Sequence, residues 1–153
     1  MKKIFLFMAM IAMIASVTVS CKKDDKKDPK DVAQLLTSGE WAGYVTGYKK
    51  NNAQWDFNNE RNYAVVHFNR TSENVTYGTG TQQEYKNEHS SEQSGYAEFT
   101  WSMTDNEIRI AYITDGWGDV YIKLDDCDIT SSQFKGDMYD YYDHKYVFDF
   151  NKK

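Results

Sequence analysis

Two cysteines, three histidines and one acidic run are the residues of this chain whose chemistry could be decisive. Cys127 lies within Asp125-Asp126-Cys127-Asp128, where anionic neighbours hold a thiol protonated and poorly nucleophilic. The same carboxylates, with Asp137, could gather oxygens around calcium, but the run lacks the glycine and closing glutamate of an EF-hand loop. A solvated turn is the simpler reading. His67, His89 and His144 do not have the spacing of zinc ligands. No Gly-x-Ser-x-Gly elbow, His-Glu-x-x-His helix or phosphate-cradling loop is present. The sequence therefore predicts a non-catalytic protein with no metal and no cofactor.

Cys21 has a different setting. Lys2 and Lys3 precede an apolar run from Ile4 to Val17, and Thr18-Val19-Ser20 leads into the cysteine, the layout of a signal peptide over residues 1–20. The run falls short of the ~20 residues that span a bilayer. Val19-Ser20-Cys21 resembles a lipobox, which implies acylation of Cys21 and a partnership with a lipid bilayer. Each buried CH₂ of such chains adds about 0.8 kcal/mol, so several chains make a lasting anchor. Ordinary secretion with an incidental thiol is the alternative.

Residues 21–31 read as the lipidated cysteine and a tether. Lys22, Lys23, Lys26, Lys27 and Lys30 alternate with Asp24, Asp25, Asp28 and Asp31, and nothing in the stretch can form a core. Fully extended it reaches roughly 30 Å. The charges directly after Cys21 resemble export signals of surface lipoproteins in the Bacteroidota; a plain charged linker is the other reading. The expected location is the outer membrane, on its periplasmic or cell-surface side.

The whole chain carries −5, and removing residues 1–31 takes away seven lysines and four aspartates, leaving −8 from Val32 onward. That balance repels phosphate backbones, so no nucleic-acid partner is expected. Acylation of Cys21 would leave Cys127 as the one thiol, so an internal disulfide is excluded and packing must hold the domain at 32–153 together.

These residues need a frame. Asp28 suits an N-cap and Pro29 the first helical position, while Val32, Leu35 and Leu36 make one apolar face before Gly39. Beyond it the chain reads as β over 41–48, 62–69, 74–82, 95–103, 107–114, 119–124, 133–138 and 145–150. Alternation assigns faces. Ala97, Phe99 and Trp101 share a side, as do Ile108, Ile110 and Tyr112, then Val120, Ile122 and Leu124, and later Tyr146, Phe148 and Phe150. About eight such strands form an all-β, up-and-down antiparallel barrel or a two-sheet sandwich, with a meander as the simplest order.

The short helix leading into Gly39-Glu40-Trp41 and then a β meander resembles the small lipocalin-like domains of Bacteroidota lipoproteins. The resemblance runs from about Asp28 to Asn151. It implies a barrel whose Trp41 packs at the closed end beside the N-terminal helix, and a mouth able to take a small apolar ligand. The Thr-Asp-Tyr motif and the cysteine pairs of larger lipocalins are missing.

An eight-stranded interior is either filled by side chains or holds one small ligand. Phe99, Trp101, Tyr112, Phe134 and Tyr146 all claim the inner face, as plain core or as the walls of a ligand pocket. Trp101 and Tyr112 have polar tips that could orient a ligand. Trp117 between two glycines, and Trp55 with Phe57 in an asparagine-rich connection, offer an alternative: a protein or glycan interaction module working through loops. A tryptophan folded back over the barrel end is the competing reading for Trp117.

Overall fold

The computed structural model describes residues 27–104, 106–142 and 144–153, with all their side chains except that of Asn59. The expected signal peptide at 1–20, Cys21 and the first part of the expected tether lie outside the described residues. Among the described residues no helix is long and apolar enough to cross a membrane.

Asp28 accepts the Lys30 N–H at 2.8 Å and Pro29 opens helix α1, Pro29–Leu36. This cap satisfies a backbone donor that the first helical turn cannot pair by itself. Helical structure thus begins inside the charged stretch, before the expected domain start at Val32. Lys27 also belongs to the folded part, donating to the carbonyls of Leu124 at 2.8 Å and Cys127 at 2.6 Å. Val32, Ala33 and Leu36 form the buried face of α1.

Eight strands follow: β1 (Glu40–Asn51), β2 (Gln54–Asn69), β3 (Tyr77–Tyr85), β4 (Gln93–Met103), β5 (Glu107–Tyr112), β6 (Val120–Ile129), β7 (Gln133–Asp140) and β8 (His144–Lys152). They close into one antiparallel meander barrel, each strand pairing with the next and β1 with β8. Closure leaves no sheet edge to pair with another chain. On β4 the alternation is complete, with Ala97, Phe99, Trp101 and Met103 buried between exposed neighbours.

Two expectations are corrected. Trp55 and Phe57 are not in a connection but in β2, opposite Lys50 and Tyr48 of β1. Their segment is rich in asparagine, a poor strand former, yet the long β1 arm supplies a backbone partner and overrides local preference. Asp125-Asp126-Cys127-Asp128 is likewise strand rather than turn. A register shift in β6 between Ile122 and Cys127 bulges the chain, so that Leu124 and Cys127 both face inward while Asp125 and Asp126 stay exposed. The start of β3 also moves, to Tyr77, because Val75 N–H turns back to the Ser72 carbonyl at 3.3 Å.

The end beneath α1 is solid. Trp41 is fully buried and its Nε1 donates to the Leu36 carbonyl at 2.8 Å, tying strand to helix. Phe134 meets Trp41 at 6.0 Å and Phe148 at 4.7 Å in edge-on contacts. Phe68 bridges Phe99 at 5.3 Å and Trp101 at 6.0 Å. Gly80 makes this possible, since a Cβ there would strike the Phe99 ring and the His67 carbonyl.

Candidate functional site

The opposite end of the barrel, beneath the loop that follows β5, holds a cavity of about 260 Å³. Its apolar walls are Val45, Val120 and Met138, all buried. Tyr112 from β5 and Tyr146 from β8 stand above the packed core, with the Tyr112 ring 5.7 Å from that of Phe99. Polar groups make up the rest. Glu60 and Asn62 come from β2, Gln82 and Glu84 from β3.

These groups form one chain of hydrogen bonds. The Tyr112 hydroxyl donates to Gln82 Oε1 at 2.6 Å, and Gln82 Nε2 donates to Glu84 Oε1 at 2.9 Å. Asn62 Nδ2 donates to Glu84 Oε2 at 3.1 Å. Each oxygen of Glu84 therefore meets a neutral amide. Burial raises the Glu84 pKa beyond what those two bonds offset, and the nearby charge of Glu60 adds to it. Glu60 itself accepts from Asn58 Nδ2 at 3.1 Å near the rim. Among the described residues lining the cavity there is no lysine, arginine or histidine.

The tyrosines are neutral donors at ordinary pH. Burial pushes Tyr146 up to about 12, with Asp140, Glu60 and Glu84 adding to the effect, and burial followed by the Glu84 charge raises Tyr112 further. The Tyr146 hydroxyl makes no hydrogen bond to another described residue. On the rim, Asp140 Oδ2 lies 2.8 Å from His144 Nδ1. Burial works against the Asp140 charge, but the His144 N–H, its imidazole and the Tyr142 N–H outweigh it and lower the pKa.

Trp117 roofs the cavity. It sits in the loop between β5 and β6, after Gly116, whose φ of +85° allows the chain to double back. Its ring lies 5.1 Å from that of Tyr112, tilted by 39°. The loop is pinned by Tyr112 N–H to Asp119 Oδ1 at 3.1 Å and Glu98 N–H to Thr114 Oγ1 at 2.9 Å. Trp117 is thus folded over the barrel end, half-buried rather than projecting.

Of the inner-face residues singled out by sequence, Tyr112 and Tyr146 line the cavity. Phe99, Trp101 and Phe134 are 2% exposed or less and belong to the filled part, away from it. Glu60, Asn62, Gln82 and Glu84 had not been singled out. The signal was there in β3, where Gly78, Gly80, Gln82 and Glu84 share one face and turn from glycine to polar along the strand.

Trp55 stands on the outer wall, 6.3 Å from Tyr139, which stacks on Tyr121 at 5.6 Å. Tyr141 and Tyr142 beyond them are 65% and 77% exposed. Around the acidic run, Asp126 accepts from the Tyr139 hydroxyl at 3.4 Å and Asp137 pairs with Lys145 at 3.4 Å. No group of three or more metal-ligating side chains is gathered among the described residues. His67 is exposed on β2, and His89 pairs with Glu88 at 3.4 Å.

No family model matches the chain, and no curated protein matches it. A redesigned β barrel of known structure is similar over 79% of this chain and 94% of its own, at 17% identity and a TM-score of 0.45.

Proposed function

We propose that this chain is a membrane-anchored, non-catalytic barrel that binds one small aromatic or apolar ligand at its open end. The observation that carries the reading is the cavity of about 260 Å³ between a solid floor and the Trp117 roof. A cavity of about 150 Å³ lined by apolar groups is enough to hold benzene, so a ring with a short substituent fits here. Larger ligands occupy sites of ~300–1,000 Å³. Val45, Val120 and Met138 would hold the apolar part, and Tyr112, Tyr146 and Trp117 the ring.

Two measurements test the two halves of this reading. Ring ligands titrated into the full chain should quench or shift tryptophan fluorescence, and Trp117→Ala should weaken their binding by about tenfold or more, as expected when a central aromatic anchor is removed. Unchanged affinity in Trp117→Ala would count against the open-end site. Cys21→Ala should move the protein from the membrane pellet to the soluble fraction; continued pelleting would contradict the anchor.

A second reading draws on the outer band of Trp55, Tyr139 and Tyr121 with exposed Tyr141 and Tyr142, which suits contact with a protein or a glycan. It predicts binding that is lost in Trp55→Ala and kept in Trp117→Ala.

A further inference from the structure

We propose that the open-end chamber selects a small organic cation, a primary amine carried on an aromatic ring. The inference rests on the binding reading above and adds the chemistry of the ligand's polar end. Two carboxylates, Glu60 and Glu84, stand beside the amides of Asn62 and Gln82 on the wall of a cavity that also presents Val45, Val120, Met138, Tyr112, Tyr146 and Trp117, and no basic side chain lines it among the described residues. A carboxylate removed from water is costly unless paired, and the two amides on Glu84 leave its charge uncompensated. An ammonium has three donors and no acceptor, which matches what this wall offers.

The arrangement is built rather than incidental. Gln82 is only 6% exposed, and its amide joins Tyr112 to Glu84 through Oε1 and Nε2. That relay fixes the carboxylate relative to the ring of Tyr112, with the Trp117 ring 5.1 Å from Tyr112. A ligand whose ring lies against Tyr112 and Trp117 places a two-carbon arm toward Glu84. The same rings attract cations through their faces, and the unpaired Tyr146 hydroxyl adds an acceptor. An anionic ligand meets two like charges in the same space, and a neutral alcohol leaves the Glu84 charge as it is.

The test is a matched series on the full chain by titration calorimetry: phenethylamine, 2-phenylethanol and phenylacetate, which share ring and arm length and differ in charge. Phenethylamine should bind at least tenfold tighter than 2-phenylethanol, with phenylacetate the weakest. Glu84→Gln should bring the first two within about twofold of each other. Glu60→Gln, at an exposed position, should reduce the preference in part, and it keeps the test decisive if Glu84→Gln does not fold. Equal binding of amine and alcohol, or a preference untouched by both variants, overturns the selectivity and leaves the ligand-binding reading standing. Absence of binding by all three overturns both.

Discussion

Along β7 and β8 the inward positions near α1 carry Phe134, Phe148 and Phe150, whereas farther along the same two strands they carry Met138 and Tyr146, ending at Asp140 and His144 on the rim. β2 and β3 change in the same direction, from Phe68 opposite Gly80 to Asn62 and Glu84. One end is filled with buried rings; the other keeps space, carboxylates and hydroxyls. The difference separates a region built by packing from one that keeps polar groups beside open space. Packing at the filled end can support polar groups at the open end that lower stability locally.

Substitutions should separate the two ends sharply. Phe134→Ala removes a ring that touches Trp41, Phe148 and Phe150, and should cost ~3–5 kcal/mol in urea unfolding, the usual range for a deleted core phenylalanine. A loss below 1 kcal/mol would mean that the floor is loosely packed. Trp41→Phe keeps a ring but leaves the Leu36 carbonyl without its indole donor, for a cost of about 1–3 kcal/mol and lower protection of α1 amides against exchange. Wild-type protection in that variant would show that the helix docks without the bond.

At the open end the effect should be smaller and of opposite sign. Burial holds the Glu84 pKa above its ordinary 4.5, so the native state keeps that proton longer than the unfolded chain does. Stability then falls as pH rises from 4.5 through the folded value, and Glu84→Gln, which has no proton to lose there, should gain on the wild type across that window and hold the gain above it. Thermal melts at intervals from pH 4 to pH 8 measure the difference; a variant that loses ground as pH rises would reverse the sign assigned to Glu84.

The barrel was legible in the sequence because β4 alternates from Ala97 to Met103, β5 from Ile108 to Ile110 and β8 from Phe148 to Phe150, and the helix because Asp28 and Pro29 mark its start. The arms of β1 and β2 were not, since Trp55 and Phe57 are strand residues only by virtue of a partner. β6 hid its length behind three aspartates that a bulge turns outward. The candidate site was half legible. Tyr112 and Tyr146 show the same inward parity as Phe99 and Phe134, and local pattern tells inside from outside but not height along the barrel axis. Height follows from long-range register, which places Tyr112 beside Phe99 but with its hydroxyl reaching across to Gln82.

The chain enters the barrel beside Lys27, which grips the carbonyls of Leu124 and Cys127, and then passes through α1 across the sealed base. Any pull or leash acting on residues before Lys27 is therefore borne at one pole, and the aperture under Trp117 is carried at the other. An anchor at Cys21, as proposed above, would thus lie toward the α1 end, and the cavity beneath Trp117 toward the other.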